Sequence, residues 1–416
     1  MENKKMHYAW LIFIACCAMS FVGLGLMVNT QGLFLVPIGK ELKFSRSQLS
    51  LMLTIQGIAG MVAMPVVGKM FSKIKSKYML TVSFAIIAAG YILLSRCSQL
   101  YMFYLVAIVI GLAMPAAMIA PSILLANWFE KKLGFTMGIA MALSGIAGAI
   151  FNPLVSSIIL KYGWRTAYVF IAVAALIIVL PFTLFIVQFK PSDKGLLPYG
   201  VDESNKAAGK SVEQTGMTAK EAYHTAPFYM FCIAMIVLQA VAGLVQHVSA
   251  HVVNEGFPLT VGATVVSGIM LGAAAGKFII GFLLDKVPSK LVVIVYGSIG
   301  FVGWLGLNLA LSSQLLVASG FVLGLGQALM LVALPFFIRK VFGTREYSSI
   351  LSIVSVCGSL ASAVSVYADG VIFDMTKTYK LALSLNLVYY VVAMIIIILA
   401  LTIGDKINKT RTSAAK

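Results

Sequence analysis

The stretch Gly276-Lys-Phe-Ile-Ile-Gly281-Phe-Leu-Leu-Asp285-Lys286-Val-Pro-Ser-Lys290 carries a long apolar run into a short basic loop. A shift of 213 residues places Gly281 on Gly68. There, Gly68-Lys-Met-Phe-Ser72-Lys73-Ile-Lys75-Ser-Lys77 makes the same transition. Each copy ends an even-numbered apolar run, so the chain reads as two halves built on one plan.

Outward from these loops, apolar runs of roughly 17–25 residues or more, the length that crosses a bilayer, recur twelve times. They fall near 8–38, 48–68, 78–95, 100–128, 133–160 and 164–187, then near 227–253, 260–284, 291–311, 315–338, 347–372 and 379–403. Within lipid every backbone N–H and C=O is satisfied inside the segment, which makes these runs helices. The alternating pattern of an outer-membrane barrel is absent. The expected fold is an all-α membrane protein of twelve transmembrane helices in two pseudo-symmetric six-helix bundles. The bundles span 1–187 and 227–403, a polar linker spans 188–226, and a tail spans 404–416.

Composition agrees. Of 416 residues, 60% are hydrophobic and 11% are charged, far from the half apolar and quarter charged of a soluble chain. The five cysteines are an odd count with no metal-ligand spacing. Cys16, Cys17, Cys232 and Cys357 lie in apolar runs as small packing residues. The N-terminal MENKKMHYAW resembles a signal-peptide start, but the following run is long and lacks a small-x-small cleavage site. It reads as a retained first span.

The linker carries Lys190, Lys194, Lys206, Lys210 and Lys220 against Asp193, Asp202, Glu203, Glu213 and Glu221, with a short amphipathic helix expected near MTAKEAYHTA at 217–226. The net charge of +17 then finds its place. With the N-terminus inside, 22 Lys and Arg fall in cytoplasmic segments and 8 in external ones. That bias sets both termini in the cytoplasm of a multi-pass plasma-membrane protein. It is a topology signal and not a nucleic-acid surface. Lys277 is the one basic residue of 31 left inside a span.

Both loops resemble the Gly-x-x-x-Asp-Arg/Lys-x-Gly-Arg/Lys signature of the major facilitator superfamily. The second copy keeps Asp285 and Lys286; the first has Ser72 for the acid and Lys75 for the last glycine. The departure weakens the inward-side latch that the resemblance implies for the first half. NWFEKKLGFTMGIAMALSGIAGAIFNPL (127–154), KYGWRTAY (161–168), GKFIIGFLLDK (276–286) and the pattern Gly370-x-x-x-Asp374 with Tyr379 are similar to the monocarboxylate and oxalate/formate branch. The resemblance implies the major facilitator fold and alternating access.

Lys277 is the leading candidate for substrate binding. An ionised residue in the bilayer core costs at least ~2.5–3.5 kcal/mol. It stands eight residues before Asp285, about 12 Å from the cytoplasmic helix end and near the midplane. The run Gly272-Ala-Ala-Ala-Gly276 beside it suggests open space around the ammonium. A structural cation bonded to carbonyls is the alternative. In the family this position usually carries an Arg that binds the substrate carboxylate. Lys keeps the charge without the bidentate fork. Proton-coupled members often place an acid four residues earlier, where Ala273 stands. Dianion exchangers carry a second cation in the eleventh helix, and 347–372 has none. One cation favours a monoanion.

Asp369 lies ~33 Å along the eleventh span, near its outer end, as an external gate, a proton acceptor or an interfacial residue. The outer half of the seventh span carries Gln239, Gln246, His247, His251 and Asn254. His247 and His251 share a face at i, i+4, and the imidazole side chain is the type that can exchange a proton near physiological pH. They are candidates for substrate contact and proton coupling respectively, or for a polar packing face; no third metal ligand accompanies them. Ser348, Ser352, Ser355, Ser359 and Ser362 form one stripe suited to close helix packing or to a cavity wall. Asn29, Gln31 and Gln327 are further substrate-binding candidates, and spans 1, 4, 7 and 10 line the cavity in the family. Gln56 and Asn152 are similar. Gly68, Gly281, Asp285 and Lys286 serve gating. Trp10, Trp128 and Trp164 stand at span ends like interfacial anchors.

The leading function is a secondary carrier for a small organic monoanion, driven by a proton or a counter-anion, monomeric and without cofactor, metal or nucleic acid. The alternative is a proton-coupled exporter of drugs or neutral metabolites, which Lys277 disfavours. No nucleotide-binding motif, convergent catalytic set or filter-like loop is present, against a pump, an enzyme or a channel.

Overall fold

Apolar chain that must satisfy its own backbone becomes helix, and the computed structural model is made of helices. It describes residues 7–44, 46–201, 216–309 and 312–414. Asp202, Glu203, Lys206, Lys210 and Glu213 of the linker, the end of the ninth span at 310–311, and the side chains of Ser72 and Asp374 lie outside the described residues.

Eleven continuous stretches are long and apolar enough to cross a membrane. In the first half these are α1 (Ala9–Leu42), α2 (Arg46–Lys73), α3 (Ser76–Arg96), α4 (Leu100–Trp128) and a run from Leu133 to Ile186. Gly163, at φ 83° and ψ 162°, breaks that run into α5 (133–162) and α6 (164–186). A side chain there would meet the backbone penalty that glycine escapes. The second half holds α7 (Ala226–Asn254), α8 (Leu259–Leu284), α9 (Ser289–Leu309), α10 (Ser313–Phe342), α11 (Tyr347–Thr376) and α12 (Lys380–Ala414). The expected twelve helical segments are therefore present.

The chain divides into two compact units, Met1–Glu213 and Gln214–Lys416. The 213-residue repeat is visible in the helix limits. α3 runs from Ser76 to Arg96 and α9 from Ser289 to Leu309; α4 begins at Leu100 and α10 at Ser313. Packing repeats too. Within the first unit α1 lies along α5 and α2 along α4; within the second α7 lies along α11 and α8 along α10.

The described ends of the polar stretch between the halves, 188–201 and 216–226, each belong to their own unit. In the first, Tyr199 N–H donates to Trp128 O at 2.8 Å, and Trp128 Nε1–H to Gln188 O at 2.9 Å. In the second, Met217 N–H donates to Phe342 O at 2.8 Å, which is nearly the repeat-equivalent position. The short helix forms at Ala219–Tyr223, capped reciprocally by Thr218 and Glu221. The tryptophan expectation needs correction: Trp128 and Trp164 are 0% and 2% exposed, so they are core residues, not interfacial anchors. Each indole N–H has a hydrogen-bond partner, Gln188 O for Trp128 and the exposed Glu41 carboxylate, at 2.7 Å, for Trp164. The cysteines are free thiols.

Glu221 also ties down the C-terminal helix, accepting from Arg411 Nη2 at 3.0 Å. The Arg411 guanidinium, with the Thr218 N–H, holds the Glu221 carboxyl below its ordinary value of 4.5. A depressed carboxyl contributes stability that is complete above that value and fades as pH falls through the folded-state pKa. Hydrogen-exchange protection of the backbone amides around Lys409 should therefore fall as pH is lowered through the carboxyl range. Arg411→Ala should show the lower protection already at neutral pH. Equal protection in both proteins at neutral pH would remove this role.

Candidate functional site

Lys277 lies in α8 and is 8% exposed. The small residues around it do something other than open space. α8 and α10 approach through glycines: a Cβ at Gly272 would stand 2.0 Å from Phe321 O, and one at Gly276 2.5 Å from Leu325 O. From the other side, a Cβ at Gly324 would stand 2.1 Å from Ile269 O and 2.7 Å from Ala273 N. Gly272, Ala273 and Gly276 thus form a backbone-to-backbone contact of the small-residue kind. One residue further on, rotated about 100° around the helix, comes Lys277. The glycine contact fixes the helix from which the ammonium projects. Tyr296 of α9, which no sequence pattern singled out, donates its hydroxyl to Gly276 O at 3.1 Å and steadies the carbonyl just before Lys277.

α1 and α7 are interrupted at matching places. α1 contains a π-helical turn at Ser20–Val28 and a 3₁₀ turn at Gln31–Phe34; α7 contains a 3₁₀ turn at Val245–His247. The 3₁₀ turns coincide within a residue under the 213-residue shift. Paired breaks in repeat-related helices are the structural pointer to a carrier's binding region. Both carry candidate residues. Asn29 Nδ2 donates to Ser144 O of α5 at 3.2 Å. Gln31 Nε2 donates to Tyr91 Oη at 3.4 Å, and Tyr91 in turn donates to Met27 O at 2.8 Å. The amides of Asn29 and Gln31 thus each engage a neighbouring helix within the first unit. Gln327 lines a small crevice in the second unit with Leu238, Val241, Met330 and Tyr390.

At the α7–α8 end of the second unit, His247 and His251 gather around Tyr379. His247 Nε2 is 3.1 Å from Val366 O, and its Nδ1 is 3.4 Å from Tyr379 Oη. His251, 1% exposed, places Nε2 3.0 Å from Leu307 O. Both imidazoles contact the Tyr379 ring, at centroid distances of 5.5 and 6.3 Å. Asp369 is 9% exposed and one helical turn past Val366. His251 Nδ1 and Asp369 Oδ2 are buried without a hydrogen-bond partner among the described residues. Among those residues no group of three metal-ligating side chains converges.

The loop residues fall at helix ends. Gly68 and Gly281 are buried, and Asp285 caps α8. Lys286 Nζ lies 4.1 Å from the Phe282 ring centre, and Lys290 pairs with Asp405 at 3.7 Å. Lys340 of α10 donates to Ser289 Oγ at 2.9 Å, joining this loop to the next. In the serine stripe, Ser352 and Ser359 donate back into their own helix, to Ser349 O and Ser355 O. Ser365 on α11 closes against Gly243 of α7.

The family model described as Major Facilitator Superfamily matches residues 9–269 and 252–416. The uncharacterized MFS-type transporter YcxA of Bacillus subtilis is 22% identical over 433 aligned positions, covering 99% of each chain. Monocarboxylate transporter 13 of Rattus norvegicus is 19% identical over 382, covering 91% of this chain and 85% of its own. Among solved structures, the E. coli fucose:proton symporter FucP superposes with a TM-score of 0.73 at 13% identity, over 95% of this chain and 99% of that one. The proton:xylose symporter XylE superposes with a TM-score of 0.71 at 13% identity, over 96% and 95%. These two share the fold.

Proposed function

We propose, for a chain that belongs to the Major Facilitator Superfamily, that the cargo of this secondary transporter is a small organic monoanion of the monocarboxylate class. The observation that carries the reading is Lys277, a buried cation on a helix pinned by glycine contacts. A site with a single fixed positive charge suits one carboxylate. A lipophilic cation would meet repulsion there, and a neutral solute would gain nothing from the charge. The rat relative, a monocarboxylate transporter by name, supports the same class. Movement is by alternating access in the plasma membrane, with both termini cytoplasmic as the 22-to-8 basic bias indicates. The driving gradient is a proton or a second anion. The carrier acts as a monomer.

The test is uptake of a panel of radiolabelled monocarboxylates into proteoliposomes. The wild type should accumulate at least one acid, and Lys277→Ala should not. Uptake that survives Lys277→Ala, or uptake of neutral solutes in place of acids, returns the protein to the exporter reading.

A further inference from the structure

The cluster at the α7–α8 end stands apart from Lys277. Lys277 lies 18 residues beyond Leu259, where α8 begins, about 27 Å along the helix axis. We propose that His247, Asp369 and Tyr379 form a proton-binding site in the second unit, with the His247 imidazole as the group that gains and loses the proton. Taken with the anion reading above, on which this clause rests, the site gives the carrier its coupling ion and makes it a symporter.

The hydrogen bonds distinguish the two histidines. Val366 O can only accept, so His247 Nε2 donates to it in either protonation state. Nδ1 faces a hydroxyl, and a hydroxyl both donates and accepts. Neutral His247 accepts from Tyr379 at Nδ1. Protonated His247 donates to it after the phenolic O–H turns away. The Nδ1 proton therefore meets an acceptor when it is present, and the ring gains or loses it with no partner lost at either nitrogen. Loading makes one N–H bond, with the proton taken from water, and unloading returns it to water.

His251 lacks this symmetry. Its Nε2–H donates to Leu307 O, and its buried Nδ1 has no hydrogen-bond partner among the described residues. A proton there would be a buried unpaired donor on a cation, which is strongly unfavourable. His251 therefore stays neutral and acts as a positioning residue, walling Tyr379.

Asp369 supplies the counter-charge. Val366 and Asp369 are three residues apart on one face of α11, so the ring bonded to Val366 O lies within a turn of the carboxyl. The other charges nearby are Glu255 and Lys380, which pair with each other at 3.2 Å and act on His251. Asn254 closes the edge by donating to Lys377 O at 3.4 Å.

The chain has four histidines, few enough to follow each by nitrogen NMR. Imidazole-¹⁵N-labelled protein in lipid nanodiscs should show one signal, absent from His247→Gln, passing between the Nε2–H tautomer and the imidazolium as pH is changed. His251 should remain neutral throughout. Asp369→Asn should displace the His247 midpoint by about one pH unit or more, and Asp369→Glu should restore it. Tyr379→Phe, a second route should Asp369→Asn not fold, should displace it as well. A His247 that holds one state across the range, or a midpoint unmoved by both substitutions, overturns the proposal. The measurement needs no transported acid, so its failure leaves the Lys277 reading standing, and failure of the uptake panel leaves this site standing.

Discussion

Gly272→Ala is expected to cost most of the folded protein. The added Cβ would stand 2.0 Å from Phe321 O and 2.9 Å from Phe321 C, whereas ordinary contact begins at 3.4 Å. The obstacle is backbone on a neighbouring helix, so no rotamer relieves it. α8 and α10 must move apart by more than an ångström along a seam that also includes Gly268, Gly276, Gly320 and Gly324. Overpacking of a tight interior costs about 1–3 kcal/mol or more, and the loss of close helix contact adds to it. Gly57 on α2 is the control. Nothing lies within 4 Å of its added Cβ, and alanine is the better helix former by about 1 kcal/mol. Gly57→Ala should match or exceed the wild type in thermal stability by fluorescence-detected size exclusion, while Gly272→Ala should give little monodisperse protein. Equal elution profiles for the two variants would show that the α8–α10 seam tolerates separation.

That contrast marks what was legible in the sequence. The twelve spans and the repeat could be read because length, hydrophobicity and a 213-residue shift are one-dimensional properties. The reading of Gly272 to Gly276 as open space around Lys277 could not be sound from sequence. Small residues permit a cavity and a backbone contact equally, and only the partner helix decides between them. α10 has its own glycines at 320 and 324, facing Val265 and Ile269, which turned the run into a seam. Trp128 and Trp164 failed similarly. A tryptophan at a span end is either an interfacial anchor or, as here, the core of a fold-back. Glu41 and the segment 188–201 that cover them are distant in sequence. The histidine pair was legible as a face, but Val366 on α11 and Tyr379 in the turn before α12, which separate its two members chemically, lie more than a hundred residues away.

At Lys277 a charge series separates function from folding. Lys277→Met removes the charge and keeps the length. Met fills the same length and removes an ion that costs at least ~2.5–3.5 kcal/mol in the bilayer core, so Lys277→Met should still fold and elute as a monodisperse protein. Its transport should nevertheless collapse. Truncating one partner of a buried charge pair costs about 2–5 kcal/mol, which corresponds to a fall in uptake of about 30-fold or more at subsaturating acid. Lys277→Arg restores the charge on a bulkier, planar head. It should recover part of the uptake, mainly as a raised KM with a similar maximal rate, because the glycine seam fixes α8 and leaves the longer group little freedom to adjust. Lys277→Glu should abolish uptake at every concentration of acid, since like charge repels the cargo outright. The decisive comparison is stability against uptake in Lys277→Met. A stable protein that still accumulates the acid would make the cation structural, and its place beside a helix seam would then be the whole of its role.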